Sequence, residues 1–473
     1  MSKKLSTEPY KGVRDFFPAE MVVEKKIFHI WRKTVEKYGY EEYGASVLEP
    51  ADLYRAKTGE EIVNEQTYTF TDRGDREVTL RPEMTPTLAR MVAAKKRELI
   101  YPLRWYSIPN LFRYEQPQRG RLREHWQLNV DIFGVPSIAA EIETINIAYD
   151  ITQAYGLKDT DFEIRINSRK IMDYVTREVF GLNEEAAKKV SNLIDKKNKI
   201  STEAFEEGIK IVFSEVGTIS PTSPTTSPRD ESPRAARSRG EVSASSRDCS
   251  RIDASGNSSV TVQKFLTLLN SENFEEFTSR LPQTKEEHQG LKEIRDVIQG
   301  LERLGIANTR FDQTLMRGFD YYTGIVFEVF DLNPANRRSI FGGGRYDDLL
   351  SLFGNEKVPA VGFGAGDVIA RDLMETYGTL PKSESSVDIA LCIVGEQNIP
   401  YTLELAQTLR NKSIRVSVDL SGKKLGDQIG NADKRGIPRI ICIGDEEVKN
   451  GKLRVKNLKT GEEIVTTEDE IVK

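Results

Sequence analysis

Cysteine, histidine and tryptophan each occur only three times in 473 residues. The cysteines (Cys249, Cys392, Cys442) lie far apart without a pairing pattern, which predicts reduced thiols and excludes a disulfide framework. The histidines (His29, His125, His288) are too scattered to build a metal site, and no metal held by protein ligands alone is expected. No run is apolar over the roughly 20 residues that a membrane span needs, so no membrane partner is expected. The opening Met-Ser-Lys-Lys-Leu-Ser-Thr-Glu lacks the apolar core of a signal peptide, which predicts a cytoplasmic location. A net charge of −5 argues against nonspecific coating of nucleic acid, but it allows a local basic surface.

Lysine is missing in one place. None occurs between Lys210 and Lys264, although it is plentiful on both sides. Within that gap, residues 216–259 form a Ser/Pro/Arg-rich tract with almost no large apolar side chains. Such a tract buries too little surface to offset its ordering entropy, so it is predicted to be disordered. It reads as an acquired insert or a stretch translated in a shifted frame.

What is present is ordinary globular material, 38% hydrophobic and 30% charged, and long enough for two or three domains. A helix is predicted from Pro18, with Val23, Ile27, Trp31 and Val35 on one face and Gly39 as its stop. Tyr40–Glu49 reads as a strand, and residues 68–80 as a hairpin turning at Gly74. Thr85 reads as a helix N-cap before Pro86. Strands are predicted over Trp105–Tyr114 and Trp126–Phe133, and a helix over Ile138–Tyr155. The mixture predicts an α+β core on a mostly antiparallel sheet with flanking helices. After Val387 the pattern becomes strand–helix–strand, which predicts a small C-terminal α/β domain.

Three patches carry chemistry. Arg81-Pro-Glu-Met-Thr85 sets a carboxylate and a hydroxyl beside a helix start. Phe112-Arg-Tyr-Glu115 leads into a loop with Arg119, Arg121 and Arg123 around Gly120, and then into His125, Gln127 and Asp131. Guanidinium forks match phosphate oxygens, so this loop reads either as a phosphate contact or as a solvated hairpin tip. In the following strand Gln127, Asn129 and Asp131 share one face, as a polar pocket floor would require. The third patch is Arg317-Gly-Phe-Asp-Tyr-Tyr-Thr-Gly324 at the mouth of an apolar strand. It is followed by the glycine-rich Phe341-Gly-Gly-Gly-Arg-Tyr-Asp347 and Val361-Gly-Phe-Gly-Ala-Gly366.

Together these patches resemble the histidyl-tRNA synthetase family of class II aminoacyl-tRNA synthetases, over nearly the whole chain apart from the tract. Lys11 to Pro18 with the next helix and strand resembles the first class motif, which implies a homodimer. Phe112 to Asp131 resembles the second motif, and Arg317 to Tyr322 and Phe341 to Leu350 resemble the two signatures of the histidine enzymes. The resemblance implies a catalytic core over 8–168 and 300–380, an insertion region over 169–299 and an anticodon-binding domain over 386–473. It implies activation of L-histidine with ATP, magnesium accompanying the ATP, and transfer to tRNA(His).

Glu83, Thr85, Gln127, Asp131, Tyr321 and Tyr322 would hold histidine. Arg113 and Arg317 would act on the α-phosphate from opposite sides, and Arg121 and Arg123 would reach the outer phosphates. Glu115 would support either the adenine or a magnesium ion, and His125 would lie against the adenine. Gln118 and Arg119 would meet the acceptor end of the tRNA. Lys423, Lys424, Lys434 and Arg435 would contact tRNA from the C-terminal domain. The third class motif departs from its pattern, because Ile369 stands where the family has an arginine, and weaker ATP binding is expected. The competing reading is a synthetase-like regulatory subunit of histidine biosynthesis that binds histidine without charging tRNA.

Overall fold

The computed structural model describes residues 5–55, 66–197, 200–217, 258–317, 321–336, 339–354, 357–382 and 384–471. The chain divides into two compact units, Met1–Leu380 and Pro381–Lys473.

Among the described residues of the first unit, nine strands form the main sheet. Its centre is antiparallel: Leu103–Ser107, Glu124–Phe133, Ala360–Gly366, Ser339–Arg345, Ile325–Asp331 and Phe162–Ser168 lie side by side in that order. Parallel pairs close both ends, with Glu41–Glu42 on one edge and Thr309–Phe311 on the other. The α+β expectation holds.

Period-two alternation decides which side chains face which layer. Leu128, Val130 and Ile132 point into the main apolar core beneath the helices Pro18–Glu36, Ala139–Ala154 and Asp367–Thr376. The first of these helices begins at Pro18, where a missing N–H breaks no intrahelical bond, and buries Ile27, Trp31 and Val35 on one stripe. Each such large side chain contributes about 1.5–3 kcal/mol on burial. The chain then leaves the helix through Gly39, whose φ of 77° belongs to the left-handed region.

Several local expectations need correction. Tyr40–Glu49 is not one strand: Glu41–Glu42 joins the main sheet, while Leu48–Pro50 joins a separate three-stranded sheet with the hairpin 68–80. Thr85 is the first residue of its helix rather than its cap, and Met84 holds the cap position without a side-chain bond. The Ser/Pro/Arg tract is also shorter than 216–259, because the helix Thr202–Gly217 runs into its start and the helix Ser258–Leu269 begins before its end. Those helices pack through aromatic rings, with Phe213 and Phe265 centred 5.3 Å apart, and such packing extends helical order to the tract's margins. Residues 218–257, and with them Cys249, lie outside the described residues.

Among the described residues of the second unit, five strands form a mixed sheet. Ile389–Ile393 pairs in parallel with Val416–Val418 and Arg439–Ile443, and two antiparallel strands follow. Cys392 and Cys442 face each other in register across neighbouring strands, so these two cysteines are spatial neighbours despite their separation in sequence. Both are free thiols.

Candidate active site

The face of the main sheet opposite the helices carries a cavity of about 110 Å³. Glu83, Thr85, Arg113, Gln127, Asp131, Arg317, Tyr321 and Tyr322 all line it. Sequence positions two hundred residues apart therefore meet in one hollow, and the reason lies in the strand order. Glu124–Phe133 and Ser339–Arg345 flank the glycine-rich strand Ala360–Gly366.

Glycine at the centre is a requirement of space. Asp131 lies opposite Gly362, and Asn129 lies opposite Gly364. A Cβ at Gly362 would overlap the Asp131 carboxylate, and one at Gly364 would overlap the Gln127 amide. A Cβ at Gly342 would overlap the Arg317 guanidinium. The central strands leave out side chains so that their neighbours can reach across them.

Each charged group is held by named partners. Arg113 Nε donates to the Pro82 carbonyl at 2.8 Å. Arg317 Nη1 donates to Glu328 Oε1 at 2.9 Å, and Arg169 Nη2 donates to the Arg317 carbonyl at 2.8 Å. The Tyr321 hydroxyl donates to Glu83 Oε2 at 3.2 Å. Gln127 Nε2 donates to Asn129 Oδ1 at 2.7 Å. The Tyr346 hydroxyl donates to Asp131 Oδ1 in a buried pair. Gly318, Phe319 and Asp320 lie outside the described residues.

Burial sets the proton affinities. It pushes the Asp131 carboxyl up to about 7, against the opposing pull of the Tyr346 hydroxyl. It pushes His125 down to about 3, assisted by the positive charges of Arg113 and Arg14, so this imidazole stays neutral. Glu328 is raised by burial and held back by Arg317.

Other residues singled out in the sequence do not reach the cavity. Arg121 is exposed and sits 3.6 Å from Glu115. Arg123 is buried: its Nη1 donates to the Tyr10 hydroxyl at 3.0 Å, and its guanidinium stacks 3.9 Å over Tyr114. Gln118 closes a tight turn with Arg121, donating its N–H to that carbonyl at 3.0 Å. Arg119 lies 3.8 Å from Asp372 and, with Ile369, Ile340 and Leu373, lines a second hollow of about 310 Å³. In the second unit Lys423 and Lys424 precede the helix Leu425–Lys434, and Arg435 follows it. The four cations thus form two exposed groups at the ends of that helix.

Two lining or supporting residues went unassigned in the sequence, and Asn129 was read there only as part of the pocket floor. Asn129 shares the alternation of Gln127 and Asp131. Glu328 is the lone charge in the apolar run Ile325–Phe330, a signal that could have found it. Tyr346 carried no such mark.

A glycine-centred antiparallel sheet, with two distant guanidinium groups sharing one hollow above it and helices beneath, defines the catalytic core of a class II aminoacyl-tRNA synthetase. The histidyl-tRNA synthetase family profile matches residues 12–220 and 233–366, and an anticodon-binding domain profile matches 388–473. A histidine–tRNA ligase of Leptospira biflexa is 40% identical over 457 residues, covering 96% of this chain and 94% of that one. A chloroplastic/mitochondrial histidine–tRNA ligase of Arabidopsis thaliana is 32% identical, covering 98% of this chain and 85% of that one. The chain belongs to the histidyl-tRNA synthetase family. The crystal structure of histidyl-tRNA synthetase from Nostoc sp. PCC 7120 shares the fold, with a TM-score of 0.73 at 23% identity and 98% of each chain covered. No helix among the described residues is long and apolar enough to cross a membrane.

Proposed function

We propose that this chain activates L-histidine with ATP and then transfers histidine to the 3′ end of tRNA(His). A carboxylate oxygen of histidine attacks the α-phosphorus, the bond to the bridging oxygen of the β-phosphate breaks, and pyrophosphate leaves. The terminal ribose hydroxyl of the tRNA then attacks the adenylate carbonyl, and AMP leaves. The observation that carries this reading is the convergence of Arg113 and Arg317 on the cavity that also holds Glu83, Gln127 and Asp131.

In this reading the two guanidinium groups stabilise charge that develops on the α-phosphate. Glu83 takes the ammonium group, while Asp131 and Gln127 face the imidazole, whose ring nitrogens call for acceptors. Thr85, Tyr321 and Tyr322 close the pocket. Neutral His125 offers a ring face to the adenine. Magnesium would arrive on the phosphates and neutralise their charge.

Arg121 and Arg123 reach the outer phosphates only if the loop rearranges when ATP binds. Gln118, Arg119 and the basic ends of the Leu425–Lys434 helix are assigned to tRNA. The anticodon-binding match over 388–473 favours charging over a regulatory role. A homodimer through the segment before the first helix fits the exposure of Phe17, which is 70% accessible. The catalytic core is assigned to 8–168 and 300–380, with the family's compartments including organelles.

Histidine-dependent ATP–pyrophosphate exchange tests the reading. Arg317→Ala is expected to lower the exchange kcat by about 10²–10³, the usual effect of removing one donor to a developing charge. Absence of exchange in the unaltered chain refutes the proposal.

A further inference from the structure

The ladder between Glu124–Phe133 and Ala360–Gly366 ends at Gln127 and Gly366. At the next position the chain has already turned into the helix Asp367–Thr376. Its backbone carbonyl now points along the helix, so the Trp126 N–H needs another acceptor. Asp367 supplies one from its side chain: the Trp126 N–H donates to Asp367 Oδ1 at 2.9 Å. The other carboxylate oxygen pairs with Arg14 Nη2.

Asp367 is fully buried, and Glu24 of the first helix is buried close enough to feel its charge. Arg14 lies 4.8 Å over Phe16, and Phe16 packs edge-on against Trp126 at 5.4 Å. Three segments distant in sequence therefore converge on the amide between His125 and Gln127. None of Arg14, Glu24 and Asp367 lines the cavity. A buried ion pair beside a buried carboxyl is costly to hold, and apolar side chains would pack there more cheaply, so the cluster wants a reason beyond stability.

We propose that Asp367, anchored by Arg14, is a positioning residue for adenylation: it fixes the strand at Trp126 and thereby sets where His125 and Gln127 stand. This rests on the reading of Gln127 as a histidine ligand.

The test is steady-state pyrophosphate exchange with Asp367→Ala and Asp367→Asn in the full chain. Alanine removes the acceptor and is expected to raise the histidine KM about tenfold, with kcat changed less than about threefold. Asparagine keeps an oxygen for the Trp126 N–H and is expected to restore the histidine KM to within about threefold of the unaltered chain, even where the melting temperature falls. An alanine variant with unchanged KM overturns the proposal, and so does an asparagine variant as impaired as alanine. If the alanine variant does not fold, Arg14→Gln decides. It frees the anchor and is expected to raise the histidine KM with kcat retained, and an unchanged KM again overturns the proposal. Exchange by the unaltered chain separates this failure from failure of the functional reading itself.

Discussion

Tyr346→Phe removes one oxygen from the wall of the cavity, and its effect can be worked out from the Asp131 pair. Both groups are buried, and the phenol donates to the carboxylate. Burial alone drives the Asp131 carboxyl upward, and the Tyr346 hydroxyl is what holds it to about 7. A hydrogen bond to a charged group is worth about 1.5–3 kcal/mol, so its loss raises that value by about one to two units. At about pH 7.5 the ionised share then falls from about three-quarters to between about a quarter and 3%. If only the carboxylate accepts from the substrate imidazole, kcat/KM for histidine drops about 3- to 25-fold. The sign is definite: the active form is deprotonated, so activity is lost as pH falls through the Asp131 value, and the variant loses it at higher pH. The assay is pyrophosphate exchange at limiting histidine from about pH 6.5 to 9.5, where the variant should recover at the alkaline end. The imidazole of free histidine titrates at the acid edge of this window and its ammonium group inside it, and both affect the two proteins alike. An acid limb at the same pH in both proteins, or a loss equal at every pH, refutes the reasoning.

Gly364→Ala drives a Cβ into the Gln127 amide, whereas Gly366 has nothing within 4 Å of the equivalent position. The first change should raise the histidine KM by at least about tenfold and cost about 1–3 kcal/mol of stability, and Gly366→Ala should do neither. Glu24 is raised to about 8 by burial, then by the Asp367 charge, with Arg14 and Arg371 pulling the other way. The folded chain thus keeps a proton that the unfolded chain releases near its ordinary value of 4.5. The contribution of Glu24 to stability therefore falls as pH rises between those values and levels off above them. Glu24→Gln removes that dependence, so its melting temperature should gain on the unaltered chain by at least about 2 °C across the window, and parallel curves would count against a shared proton. Replacing 219–256 with a linker of about ten residues should leave charging within about twofold, because shortening a long connection changes its closure entropy little. A charging defect would show that the tract has a role.

The polar floor was legible because strand periodicity is short-range: Gln127, Asn129 and Asp131 announce a common face within five residues. Helix starts at prolines and stops at glycines were legible for the same reason. The meeting of Arg113 with Arg317 was not, since no local pattern encodes which strands become neighbours. Only the resemblance of the two motifs to a family joined them. The pairing of Cys392 with Cys442 was missed because parallel neighbours are separated by a whole crossover in sequence. Arg123 is the reverse case. Its place in an arginine-rich loop suggested phosphate, but Tyr10 and Tyr114 enclose the guanidinium, a choice that depends on a residue a hundred positions upstream.

The glycine-rich strands show why composition alone misleads about such a site. Runs like Gly342-Gly-Gly344 and Gly362-Phe-Gly364 suggest a loop that cradles phosphate, yet here they are paired strands at the middle of a sheet. Glycine weakens a strand, so its presence at the centre requires a compensating gain. That gain is access: Asp131, Gln127 and Arg317 each occupy the space a Cβ would have filled. The charged side chains come from flanking strands and loops, where neighbours such as Tyr346, Asn129 and Glu328 fix their directions. A site built this way is rigid where it binds, because backbone ladders set its floor. Conversely, it tolerates no added carbon at the crossing points, so substitutions at these glycines should be more damaging to histidine binding than losses among the exposed arginines of the loop.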